Sequence, residues 1–81
     1  MKKVRVYVNL KQEVLDPQGK AIQNIIHNLG YEDIEDVRAG KFFDIQIDSD
    51  NEKHISEEIA VIADKILANP NIEIYKFEII G

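Results

Sequence analysis

A chain of 81 residues without cysteine has room for one domain, spanning 1–81, and excludes disulfides, thiolate metal sites and cysteine-nucleophile chemistry. Fifteen acidic against ten basic side chains give a formal charge of −5, which disfavours phosphate backbones and anionic membranes as partners. No stretch approaches the roughly 20 apolar residues that span a bilayer, so a cytoplasmic protein is expected. A chain this short buries only about 60 to 65% of its unfolded surface, and association with another chain is the expected supplement.

Residues 3–10, KVRVYVNL, alternate strictly, with Val4, Val6, Val8 and Leu10 on one side and Arg5, Tyr7 and Asn9 on the other. This period of two predicts a half-buried strand. Asp16 followed by Pro17 reads as an N-cap with proline in the first helical position. Ile22, Ile25, Ile26 and Leu29 then recur at helical spacing, and Gly30 follows as a residue suited to the left-handed helix stop. Gly19 is the anomaly, because glycine in a first helical turn costs about 1 kcal/mol relative to alanine.

IEDVRAGKFFDIQID, residues 34–48, predicts a hairpin whose loop is Arg38-Ala39-Gly40, with Gly40 left-handed and Val37 in phase with Phe43 and Ile45. Ser49 and Glu52 predict a capping box. The helix that follows is expected to bury Ile55, Ile59, Ile62, Ala63 and Ile66 and to end before Pro70. A last strand is predicted near 73–79, with Tyr75, Phe77 and Ile79 on one face.

Right-handed crossovers turn this element order into an α+β fold of two layers, a ferredoxin-like βαββαβ plan. Its four-stranded antiparallel sheet has the order 4-1-3-2, with both helices on one face. The other face should be polar, yet it carries Tyr7, Phe42, Ile74 and Ile80, which predicts a homo-oligomer formed through that face or a sheet edge.

Chemistry is thin. Four glycines form no phosphate loop, and His27 and His54, one on each helix, read as surface histidines. The acidic pairs near the second helix are explained by solvation and the helix dipole. A sheet-surface nucleic-acid site would need a basic sheet, which the charge opposes. No active site emerges, so the chain reads as a binding or structural module.

Four stretches, VLDPQGKAI (14–22), LGY (29–31), DVRAGK (36–41) and LANPNIE (67–73), lie in the order and at the spacing of one family. The chain resembles PurS, the small subunit of bacterial and archaeal phosphoribosylformylglycinamidine synthase. The resemblance implies an obligatory, non-catalytic subunit of an ATP- and glutamine-dependent ligase complex in purine synthesis. Its partners would be a glutaminase subunit and a large ATP-binding synthetase subunit, with this chain as a homodimer or dimer of dimers. The complex would use ATP and magnesium, and this chain would carry no cofactor and no metal.

The partner-interface candidates are Asp16, Gln18, Gly19, Arg38, Lys41 and Asn69. Asp16 is also explained as a helix start, Asn69 as a helix end, and Arg38 as either a contact or a solvated turn charge. At Gly19 the missing Cβ implies close approach of the chain's own loop or of a partner, and the partner reading is preferred. The rival reading is a small-molecule-sensing regulatory dimer of ferredoxin-like fold.

Overall fold

Nine alternating residues, Lys2–Leu10, form the central strand β1 of the computed structural model, which describes residues 1–81. Val4, Val6 and Val8 are fully buried on one side of it. Strand β2 (Gly40–Ile47) and strand β3 (Glu73–Ile79) flank β1, both antiparallel to it, in the order β2-β1-β3. Tyr7 stands opposite Phe42 on one side and Lys76 on the other. Helix α2 (Glu52–Ile62) lies over this sheet with Ile55 and Ile59 fully buried, and the core also holds Ala63 and Ala68.

The four-stranded, two-helix plan is corrected in two respects. The sheet has three strands: the predicted first, third and fourth strands keep their expected neighbours, but the predicted second strand does not form. Helix α1 (Pro17–Asn28) does not cover the sheet either, and contributes nothing to the buried core.

The physical reason for the missing strand lies on α1. Gly19, Gln23 and His27 recur every four residues and face the returning segment 31–39. The buried Gln23 amide donates to the carbonyls of Ile34 (3.4 Å) and Glu35 (2.8 Å). His27 Nε2 sits 2.7 Å from the same Ile34 oxygen, and because a carbonyl only accepts, this nitrogen carries the proton. Residues 34 and 35 thus spend their carbonyls on a helix instead of on a hairpin partner. Gly40 accordingly begins β2 with no left-handed turn; Gly30, at φ 102°, is the one residue with positive φ.

The end of α1 follows the expectation. Gly30 N–H donates to the His27 carbonyl (3.0 Å) and Tyr31 N–H to the Ile26 carbonyl (3.3 Å), the paired bonds of a Schellman stop. The start of α2 is shifted by two residues: the cap is Asn51, whose side chain accepts from Lys53 and His54, while Ser49 accepts only from Asn51 N–H. The end of α2 differs more. Residues Ala63–Leu67 form a π-helical turn, closed by Ala68 N–H to the Ala63 carbonyl at 2.9 Å. One extra residue per turn rotates Ile66 outwards to 75% exposure and brings Leu67 against the core instead.

The molecule measures 49 × 27 × 14 Å. A nine-residue strand spans about 30 Å and a 12-residue helix about 18 Å, so the long axis is that of a sheet with α1 extending beyond its end.

Candidate functional site

Three of the four family-like stretches meet at one corner, where β1 ends and β2, β3 and α1 begin. A shallow cleft of about 250 Å³ opens there, floored by Val8 and Leu10 and rimmed by Asp16, Gln18, Lys41 and Glu73. LGY alone lies elsewhere, at the far end of α1.

Asp16 is the centre of the corner. Its Oδ1 accepts from Gly19 N–H (3.0 Å), capping α1, and its Oδ2 accepts from Ala39 N–H (2.6 Å), tying the helix to the segment that leads into β2. These two backbone donors, aided by the charge of Arg38, hold the Asp16 carboxyl below its ordinary range. Gly19 explains why the two segments lie so close. A Cβ at Gly19 would overlap the carbonyl oxygen of Val37, so the approaching group is the chain's own backbone. Arg38 reaches across the same junction, and its guanidinium donates to the carbonyls of Lys11 (2.9 Å) and Val14 (3.0 Å). One guanidinium nitrogen, bonded to both carbonyls, thereby fixes the turn between β1 and α1.

The remaining predicted residues are arranged around this lock. Lys41 lies 3.9 Å from the Glu73 carboxylate and 5.7 Å from the Phe43 ring. Asn69 closes the turn before β3: its Oδ1 accepts from Asn71 N–H and its carbonyl from Ile72 and Glu73 N–H. Glu73 returns a bond by accepting from Asn69 N–H at 2.7 Å. Gln18 is exposed at the rim. Sequence reasoning passed over Gln23, Glu73 and the Val37 carbonyl. The recurrence of Gly19, Gln23 and His27 at intervals of four was the available signal for Gln23, and a backbone carbonyl leaves none.

The depressed acidity of Asp16 has a consequence with a definite sign. A carboxyl whose folded pKa lies below its unfolded value, about 3.9, adds stability above that value. That stability disappears as the pH falls through the folded value. Asp16→Asn, with one acceptor for two donors, is expected to start from a melting temperature roughly 5 to 10 °C lower at pH 7. It should then lose less than the parent chain between pH 5 and pH 2, as followed by circular dichroism melts.

The open sheet face carries the four residues expected at an oligomer interface. Tyr7 OH donates to Glu78 at 2.7 Å, and Arg5 makes two bonds to Asp44, at 2.8 and 3.1 Å. The Arg5 guanidinium lies 4.6 Å over the Phe42 ring and the Lys76 ammonium 5.5 Å over the Tyr7 ring. The Glu78 bond holds the Tyr7 hydroxyl above its ordinary pKa, and Arg5 holds Asp44 below its own. Cations thus lie over both aromatic rings, while Phe42, Ile74 and Ile80 stay 55, 53 and 41% exposed.

Nothing at the corner pairs a nucleophile with a base. Asp16 is committed to backbone donors, Lys41 faces a carboxylate, and His54 lies on the surface of α2, 2.9 Å from Glu58. A backbone-locked corner on a thin three-stranded sheet, with a helix projecting from it, defines a small α+β module.

Residues 3–81 match the family model described as PurS: phosphoribosylformylglycinamidine (FGAM) synthase. The chain belongs to this family, the PurS subunit of phosphoribosylformylglycinamidine synthase, an enzyme of purine biosynthesis. It is 40% identical over 79 residues to the PurS subunit of Bacillus subtilis, covering 98% of this chain and 93% of that one. The Mycobacterium leprae PurS subunit is 44% identical over 73 residues, covering 90% and 89% respectively. Among solved structures, Methanocaldococcus jannaschii PurS superposes with a TM-score of 0.88 at 34% identity, covering 100% of this chain and 98% of that one. The B. subtilis crystal structure gives 0.86 at 41%, covering both chains fully. A chain of the Thermotoga maritima PurLQS structure shares the fold, with a TM-score of 0.87 at 22% identity, over 98% of this chain and 96% of that one.

Proposed function

We propose that this chain bridges the glutaminase and the ATP-binding synthetase subunits of the ligase and keeps the route for ammonia between them closed. The observation that carries this reading is the corner itself. Three separated stretches of sequence are spent on holding one junction rigid, and none of them supplies a reacting group. Asp16, Gly19 and Arg38 set the backbone there, and the exposed side chains of Gln18, Lys41 and Asn69 are presented outwards to the larger chains. The T. maritima structure, described as PurLQS, supports an assembly of three kinds of subunit.

The chemistry of ammonia makes such a bridge useful. Released into neutral water, ammonia is mostly protonated, and ammonium is no nucleophile. Fixing the two active sites relative to one another keeps transfer intramolecular. In this reading the chain works in the cytoplasm and holds neither nucleotide nor magnesium, both of which belong to the large subunit. The absence of any phosphate loop in its sequence supports this.

Titrating the small subunit into the two larger chains tests the proposal. Arg38→Ala and Lys41→Glu should each need roughly tenfold more small subunit for half-maximal glutamine-dependent activity. Activity with ammonium salts in place of glutamine should stay level. Titration curves that superimpose on that of the parent chain refute the role given to the corner.

A further inference from the structure

Lys41 and Glu73 form a pair that the corner holds but does not spend. The Glu73 side chain is only 17% exposed, and its Oε1 is fixed by the Asn69 N–H at 2.7 Å, in the turn that leads into β3. Its Oε2 is left to face the Lys41 ammonium across 3.9 Å, beyond hydrogen-bond reach. The ammonium stands 5.7 Å from the Phe43 ring and spends none of its three N–H donors within the chain. A surface ion pair this loose adds little to stability. What it does is present a fixed acceptor and a free donor side by side on the rim of the cleft.

Few chemical groups match such a pair. A carboxylate would meet the like charge of Glu73, and a cation that of Lys41. A backbone peptide carries its oxygen and N–H on opposite sides and cannot reach both. A primary carboxamide carries them on the same side, with oxygen and nitrogen about 2.2 Å apart. Two bonds of about 2.9 Å that diverge slightly from those atoms end about 4 Å apart, the separation found here.

The rest of the cleft suits the stem that carries such a group. Its floor, Val8 and Leu10, is apolar, and its volume of about 250 Å³ has room for one side chain. Asp16, on the same rim, has both oxygens committed to backbone N–H groups and offers no rival acceptor.

The geometry points to the cleft as a carboxamide socket: an asparagine or glutamine side chain of one of the larger subunits enters it, its oxygen accepting from Lys41 and its N–H donating to Glu73. Glu73 thereby joins Lys41 as a contact residue of the assembly. This inference rests on the bridging reading and names the group that the corner takes from its partner.

The titration of small subunit into the two larger chains reads the socket through Glu73→Gln. The substituted amide oxygen still accepts from Asn69 N–H, but the atom facing Lys41 becomes a second donor. Glu73→Gln should need roughly tenfold more small subunit for half-maximal glutamine-dependent activity, with an unchanged far-ultraviolet circular dichroism spectrum. A carboxylate from the partner would instead be freed of a like charge and bind more tightly. Unchanged or tighter assembly therefore overturns the inference.

The charge-swapped variant Lys41→Glu/Glu73→Lys gives a second readout. A carboxamide can turn over to meet the reversed pair, so this variant should recover to within about threefold of the parent chain. Assembly as weak as that of Lys41→Glu alone overturns the inference. Calorimetry of the isolated chain with free glutamine should show no saturable heat, and saturable binding overturns the assignment to a partner's side chain. If Lys41→Glu weakens assembly and Glu73→Gln does not, the bridging role stands and the socket falls. If Arg38→Ala and Lys41→Glu both leave assembly unchanged, the bridging role falls, and the socket with it.

Discussion

Gly19→Ala should destabilise the chain by about 2 to 3 kcal/mol in urea unfolding, the scale of an overpacked site. On local grounds the opposite is expected, because alanine gains about 1 kcal/mol over glycine inside a helix. The added methyl meets the Val37 carbonyl oxygen, a backbone atom that cannot step aside without moving Arg38 and Ala39. Displacing those residues loosens both the arginine bonds to Lys11 and Val14 and the second bond of Asp16. A small domain has on the order of 5 kcal/mol in total, so the variant should keep only about half of its stability. Equal or greater stability than the parent chain would return Gly19 to a merely tolerated residue. If the variant folds but fails to assemble, the corner itself is what the larger subunits recognise.

The second large effect separates two isoleucines that helical periodicity places on one stripe. Ile59 is fully buried between α2 and β1, and truncation to alanine should cost about 3 to 4 kcal/mol through lost transfer energy and the cavity left behind. Ile66, seven residues on, stands at 75% exposure because of the π-helical turn at Ala63–Leu67. Ile66→Ala should therefore fall within about 0.5 kcal/mol of the parent chain. Denaturant midpoints at one fixed protein concentration compare the two. Comparable losses at both positions would mean that the helix continues in its regular period. The π turn would then be absent in solution.

The elements themselves were legible. Period-two alternation located β1 and β3 to within a residue, and the buried rows at Val4, Val6 and Val8 are the expected ones. Asp16-Pro17 and Gly30 marked both ends of α1, since capping satisfies local backbone groups and depends on neighbours a few residues away. The membership of the PurS family was legible for the same reason, through short stretches whose spacing survives in one dimension. Arg38 stood out as a residue that a turn does not require, and the structure gives it backbone carbonyls to bind.

What local pattern could not decide was competition between partners distant in sequence. Residues 34–37 stand where a hairpin partner of β2 is expected, but Gln23 and His27 take the carbonyls that a strand would offer, so the fourth strand gives way to a segment running along α1. The apolar stripe of α1 marks a face suited to burial, without saying whether its own sheet supplies the cover; Ile22, Ile25 and Leu29 stay exposed. The corner at Asp16 and Gly19 decides this by aiming the helix off its own sheet. Sequence alone determined which residues pair locally and which family the chain joins, because short-range backbone satisfaction and alternation are written in neighbouring positions. The tertiary structure alone decided how many strands pair and where α1 points, because those depend on which of several eligible donors reaches a given carbonyl first in space.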